Sequence, residues 1–176
     1  SIALNIKNNI IERGIKECPI VPGRMESFSL QNKGIAIIDY AHTPDSYKKV
    51  MITLKELQGN KGNIYVVFGA GGDRDKNKRP RMAQILETYA KHCFITPDNP
   101  RYEKQNQINA QIVEGFKNNK YSIYNNRNQG IEAAIKISKK NDIVAILGKG
   151  REKYQDIQGK KIYHSDLDIL KEYSCE

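Results

Sequence analysis

NIYVVFGAGGDRDKNKRP, from Asn63 to Pro80, contains the transition that decides the fold. Ile64 to Phe68 is an unbroken apolar run of strand length, with no alternation of polar residues. Such a run predicts a strand buried on both faces, as in a parallel sheet. Gly69 to Gly72 then allows a sharp turn and a close backbone approach, and a helix is predicted from Arg79 to about His92. Pro80 suits its first turn, where a missing N–H costs nothing. The same grammar recurs in IAIIDYAHTPD (Ile35 to Asp45), CFITPDNPR (Cys93 to Arg101) and DIVAILGKGRE (Asp142 to Glu152). Each apolar run ends in a polar, glycine- or proline-marked loop.

Helices are predicted from about Pro44 to Gln58, Gln105 to Lys117 and Asn128 to Lys139, with a short strand at Tyr121 to Tyr124. YQDIQGKKIYH (Tyr154 to His164) predicts a hairpin around Gly159, and Asp166 to Tyr173 a closing helix. Alternating strands and helices imply an α/β, Rossmann-like domain. Its mostly parallel sheet carries helices on both faces and a C-terminal β-hairpin. Ser1 to about Lys16 places Ile2, Ile6, Ile10, Ile11 and Ile15 at near-helical spacing without a convincing N-cap. Pro19 and Pro22–Gly23 break the chain after it, and a domain boundary is expected there.

The 176 residues suit one domain with its own core. Cys18, Cys93 and Cys175 are scattered and form no CxxC pair, which argues against a disulfide framework or zinc site and for a reducing cytoplasm. A net charge of +9 favours anionic ligands. The basic residues are spread along the chain without aromatic interleaving or an RNA-recognition signature, so no nucleic-acid partner is expected. No stretch has the length of a membrane span, and no membrane partner is expected.

Open parallel sheets bind ligands at the carboxyl ends of their strands, where these loops emerge. Asp39 ends one strand, and its carboxylate is expected to face the crevice and accept from a ribose diol. His42 can donate to a phosphate oxygen. Arg74 projects a fixed charge from the GAGG loop, and Pro100 restricts Asn99 to extended geometry. Arg101 offers a planar fork suited to a carboxylate. Lys149, between two glycines, either approaches a phosphate or faces solvent. GAGG lacks the spacing of a dinucleotide fingerprint, and the GxxxxGK[ST] phosphate loop is absent from the sequence.

VPGR (Val21 to Arg24), DYAHTPD (Asp39 to Asp45), GAGGDRDKNKRP (Gly69 to Pro80), DNPR (Asp98 to Arg101) and GKGREKYQ (Gly148 to Gln155) together resemble the Mur ligase family of peptidoglycan synthesis. Within it they resemble the members that add diaminopimelate to UDP-N-acetylmuramoyl-L-alanyl-D-glutamate (the UDP-MurNAc-dipeptide). The resemblance implies that Arg24, Asp39 and His42 serve ATP. It implies that Arg74, Asp98, Asn99, Pro100, Arg101, Gly148 and Glu152 hold the incoming meso-diaminopimelate, with Arg101 on its distal carboxylate and Glu152 on its distal ammonium. Two positions depart from the family pattern. Arg151 stands where His usually follows GKG, and Pro97 where Asp often precedes DNP. Both are expected to touch the amino-acid pocket.

By the same resemblance, residues 1–21 are the tail of a central ATPase domain plus linker, and residues 22–176 the C-terminal domain. ATP and Mg2+ are implied as cofactors, held chiefly by a central domain whose phosphate loop this sequence lacks. No metal ligand or certain catalytic residue is implied here, and the 176 residues alone are expected to be inactive. Two alternatives remain: a related ligase for lysine or another diamino acid, and a basic α/β binding module of another class.

Overall fold

The computed structural model describes residues 4–59 and 61–175. Its elements in chain order are α1 (Asn8–Glu17), β1 (Glu26–Ser29), β2 (Ile35–Asp39), α2 (Pro44–Gln58), β3 (Ile64–Phe68), α3 (Lys78–Tyr89) and β4 (His92–Ile95). There follow α4 (Gln105–Val113), β5 (Tyr121–Ile123), α5 (Arg127–Ile137), β6 (Ile143–Leu147), β7 (Tyr154–Ile157), β8 (Lys160–Tyr163) and α6 (Asp166–Lys171). The main sheet has strand order β1-β2-β6-β3-β4-β5, with only the β1–β2 pair antiparallel, and β7–β8 form a separate hairpin.

Right-handed crossovers explain the two layers of helices. The chain steps in one direction from β2 through β3 and β4 to β5, which puts α2, α3 and α4 on one face. It then reverses, crosses by α5 and inserts β6 between β2 and β3, so α5 lies on the other face. The side chains divide accordingly, with period two along each strand. Val66, Phe68, Ala145 and Leu147 pack with Met51, Leu54, Met82, Leu86, Ile108 and Ile112. Tyr65, Val67, Val144 and Ile146 pack with Ile131, Ala134, Ile135, Leu167 and Leu170. Four strands buried on both faces account for their continuous apolar runs.

Local signals agree with the packing at helix starts. Thr43 caps α2 through a reciprocal capping box with Ser46, and Asn126 and Ser165 cap α5 and α6. Three expectations are corrected. Helix α3 ends at Tyr89 rather than His92, because His92 already pairs with Tyr65 in the sheet. Helix α4 stops at Val113, where Gly115 packs against Pro80 and Glu87 accepts the N–H groups of Lys117 and Asn118. The leading helix begins at Asn8, after a left-handed Asn5; Ile2 of the expected stripe lies outside the described residues. In α1 no residue is buried, and Ile10 and Ile15 are exposed. Strand β1 is an addition that the sequence reading did not contain. Among the described residues no helix is long and apolar enough to cross a membrane.

Candidate functional site

The parallel register brings Asp39 level with Leu147, and Phe68 level with Ile95. The loops that leave these residues therefore converge at one edge of the sheet, beside the strand where the chain reverses direction. They enclose a cavity of about 340 Å³. The loop after β2 contributes Tyr40 and His42; the loop after β3 and the start of α3 contribute Gly71, Arg74 and Lys78. Asp98, Asn99 and Arg101 come from the segment after β4, and Gly148 and Glu152 from the segment after β6. Seven of the ten residues singled out in the sequence thus line one cavity.

A buried ionic frame shapes the wall. Arg79, fully buried, donates from Nη2 to the Gly71 carbonyl at 2.8 Å and pairs both terminal nitrogens with Glu103 at 2.9 Å. Glu103 also accepts the Asp73 N–H at 2.6 Å. The Arg79 hydrogen bonds hold the Glu103 carboxyl down at about 2. Its folded value is depressed, so its contribution to stability is present above the unfolded value and is lost as pH falls through about 2. Glu103→Gln is therefore expected to lower stability at pH 7 and to converge with the parent chain near pH 2. Urea melts at the two pH values check this.

Gly72 lies against the DNPR segment. Its N–H donates to the Asn99 carbonyl at 2.8 Å, and a Cβ on it would stand 1.9 Å from the Pro100 oxygen. Any side chain there forces the two loops apart. Gly72→Ala is expected to destabilise by about 1–3 kcal/mol, as overpacking does, and to weaken ligand binding more than tenfold as the cavity wall shifts. Thermal melts and ligand titration of the same sample separate the two effects.

Arg101 has a left-handed backbone (φ 50°), a conformation costing a non-glycine residue roughly 1 kcal/mol. The hairpin holds it there: its N–H donates to the Asp156 carbonyl, and its carbonyl accepts from Gln158, each at 2.9 Å. Its Nη1 donates to the Gly72 carbonyl at 2.7 Å, which directs the guanidinium along the cavity wall. The Lys78 ammonium donates to the His42 carbonyl at 3.0 Å, and burial lowers its pKa from the ordinary lysine value. Lys78 was not singled out in the sequence, although it stands in the quoted GAGGDRDKNKRP string. Tyr40 was missed in the same way.

Three of the ten residues do not line this cavity. Pro100 supplies the carbonyl against which Gly72 packs and which accepts from Glu103 at 3.0 Å. Arg24 lies over the Tyr40 ring at 5.0 Å and lines an adjoining hollow of about 290 Å³ with Gly23, Arg151 and Glu152. The expected orientation of Asp39 is corrected. It is buried behind the wall, where one oxygen accepts from Met25 N at 2.8 Å and the other from Ala41 N at 2.7 Å. It anchors the PGR segment against β2, rather than opening toward a ribose.

The two departures from the family pattern also point elsewhere. Arg151 turns to Glu26, donating from Nε at 2.7 Å and from Nη2 to the other oxygen. That hydrogen bonding lowers the Glu26 pKa. Glu26 in turn accepts the Gly23 N–H at 2.8 Å, so the pair clasps the PGR loop to the GKGRE loop. Pro97 uses its carbonyl to accept from Gln155 at 3.0 Å. Neither residue lines the cavity, contrary to expectation. Lys149 is fully buried beneath the cavity floor rather than facing solvent, and it borders the adjoining hollow.

The family profile described as Mur ligase, glutamate ligase domain matches residues 23–150. A UDP-N-acetylmuramoyl-L-alanyl-D-glutamate–2,6-diaminopimelate ligase of Haemophilus influenzae (strain 86-028NP) is 46% identical over 154 residues, covering 87% of this chain and 31% of that protein. The enzyme of the same name from Aquifex aeolicus is 44% identical over 168 residues, covering 95% of this chain and 34% of that one. A solved structure of a ligase with this name shares 32% identity at a TM-score of 0.79, over 97% of this chain and 35% of that chain. The chain thus spans about a third of the length of the relatives it matches. By profile, sequence and fold, it belongs to the Mur ligase family.

Proposed function

We propose that this chain supplies the amino-acid pocket, and one wall of the nucleotide site, of a cytoplasmic ATP-dependent ligase. That ligase adds meso-2,6-diaminopimelate to UDP-MurNAc-L-Ala-D-Glu during peptidoglycan synthesis. Residues 22–176 act as its C-terminal domain, and residues 1–21 as the tail of a central ATPase domain plus linker. The observation that carries the reading is the convergence of Arg74, Asp98, Asn99, Arg101, Gly148 and Glu152 on one cavity.

Diaminopimelate carries an ammonium and a carboxylate at each end. Arg101 takes the distal carboxylate through its planar fork, while Glu152, supported by Asn99, takes the distal ammonium. Arg74 draws the other carboxylate toward the GAGG loop and so directs the reacting amine toward the adjoining hollow. Lysine satisfies Glu152 but leaves Arg101 with no ligand carboxylate and only the Asp156 carboxylate, 4.0 Å from its Nε, which disfavours it.

The hollow beside Arg24 and Tyr40 fits an anionic nucleotide: it presents the Arg24 guanidinium and an aromatic face, while the Arg151 guanidinium at its edge is paired with Glu26. ATP supplies the phosphoryl group that converts the glutamyl side-chain carboxylate into an acyl phosphate. The residues of this chain hold the amine for attack on the acyl carbon. The C–N bond forms as the acyl C–O bond breaks, with phosphate as leaving group and a proton lost from the amine, and fixed cations favour the negative charge that develops. Among the described residues no group of three or more His, Cys, Asp or Glu is arranged to hold a metal ion.

Calorimetric titration of the chain with meso-diaminopimelate and with lysine tests the reading. Saturable binding of the first, with lysine at least tenfold weaker, is expected. Equal binding, or a preference for lysine, contradicts it.

A further inference from the structure

Lys149 has a setting that the ligand-binding roles above do not use. Its Nζ lies 3.0 Å from Glu152 Oε2, 3.1 Å from Asn99 Oδ1 and 3.4 Å from Asp98 Oδ1, so three N–H donors meet three acceptors. The side chain is fully buried. Gly148 and Gly150 flank it at φ 112° and 54°, and a Cβ on Gly150 would press on Tyr40 and the Gly23 carbonyl. Two successive glycine conformations are thus spent on turning a lysine inward beneath the floor.

The ammonium also determines how Asn99 is presented. Asn99 Oδ1 faces two donors, Lys149 Nζ and the Asp156 N–H at 2.9 Å, and so must be the oxygen. The Nδ2 group then points to Glu152 Oε2 at 3.0 Å. One cation consequently orients both residues that face the distal end of the ligand.

Charge makes the consequence larger than geometry alone. Arg74, Lys78 and Arg101 line the cavity against two carboxylates, Asp98 and Glu152, and Lys149 adds a fourth positive charge from below. We infer that Lys149 is a specificity-determining positioning residue. Its buried charge raises the excess of cations around the cavity from one to two, which favours an overall neutral diamino diacid over a cationic diamino monoacid such as lysine. The inference rests on the pocket reading above and deepens it.

The test is the ratio of lysine to meso-diaminopimelate dissociation constants, measured by calorimetry for the parent chain, K149M, E152Q and K149M/E152Q. Loss of the positive charge in K149M is expected to lower the ratio by roughly tenfold, partly through tighter lysine binding. K149M/E152Q loses one charge of each sign; its ratio should return toward the parental value although both ligands bind more weakly. If K149M fails to fold, the same tenfold step is read between E152Q and the double variant, whose buried charges remain balanced. A parental ratio that favours diaminopimelate and stays unchanged on removal of Lys149 overturns the inference alone. A parental chain without that preference overturns the pocket reading and the inference with it.

Discussion

Arg101→Ala is expected to weaken binding of meso-diaminopimelate by roughly 10- to 100-fold, the range for losing a hydrogen-bonded charged partner. Lysine binding should change little, because lysine has no distal carboxylate for the guanidinium to meet. The ratio of the two affinities therefore collapses, and that collapse distinguishes a lost contact from a damaged fold. Arg101→Lys keeps a positive charge but loses the planar fork, and an intermediate loss is expected. The backbone grip of the hairpin on Arg101 does not depend on its side chain, so both variants should retain the loop conformation. Calorimetry with both ligands, beside a thermal melt of each variant, measures these effects.

The second large effect lies below the cavity. Arg127 is fully buried and donates to Asp166 from Nε and Nη2, each at 2.8 Å. Its remaining donors reach Thr96 Oγ1 at 3.0 Å and the Leu147 carbonyl at 3.1 Å. Thr96 and Leu147 end the apolar runs that lead into the DNPR and GKG segments. One guanidinium thus ties together the two strands whose loops form the cavity floor. Burial alone would raise the Asp166 carboxyl, but the Arg127 charge and hydrogen bonds, with His164, outweigh it and hold the group well below the ordinary carboxylate range. Because the folded value is depressed, this contribution is present at neutral pH and is lost only in strong acid.

Arg127→Ala removes the guanidinium from the fully buried Asp166 and leaves His164, at 2.7 Å, as its remaining ion-pair partner. It is expected to cost about 3–5 kcal/mol, which at this chain length lowers the melting midpoint by roughly 6–20 °C. Replacing both partners, as in Arg127→Met with Asp166→Leu, should cost much less, because no lone charge remains buried. Chemical denaturation of the three proteins at pH 7 provides the comparison. A single-variant cost below about 1 kcal/mol would place the pair among ordinary surface ion pairs.

The contrast between strands and loops shows what was legible in the sequence. Buried parallel strands announce themselves, because both faces demand apolar residues; β2, β3, β4 and β6 were readable for that reason. Strand β1 was not, since Glu26–Ser29 reads ESFS and offers a single large apolar residue. Its pairing with β2 is supplied by register rather than by composition. The loops were readable as places where chemistry gathers, but not in the direction each side chain takes. Asp39 and Arg151 were expected at the ligand and instead hold loops together. Lysine is ordinarily a surface residue, and nothing in the residue type of Lys149 points to a buried position. Its flanking glycines were the available signal, since paired positive-φ positions allow a side chain to turn inward.

The most direct test of the central claim is a crystal structure of this chain with meso-diaminopimelate bound. The account predicts density in the cavity between the DNPR and GKGRE segments. One carboxylate should lie on the Arg101 guanidinium and the neighbouring ammonium on Glu152, with Lys149 still buried beneath them. A ligand bound at another face, or one in this cavity whose carboxylates touch neither Arg101 nor Arg74, would contradict it.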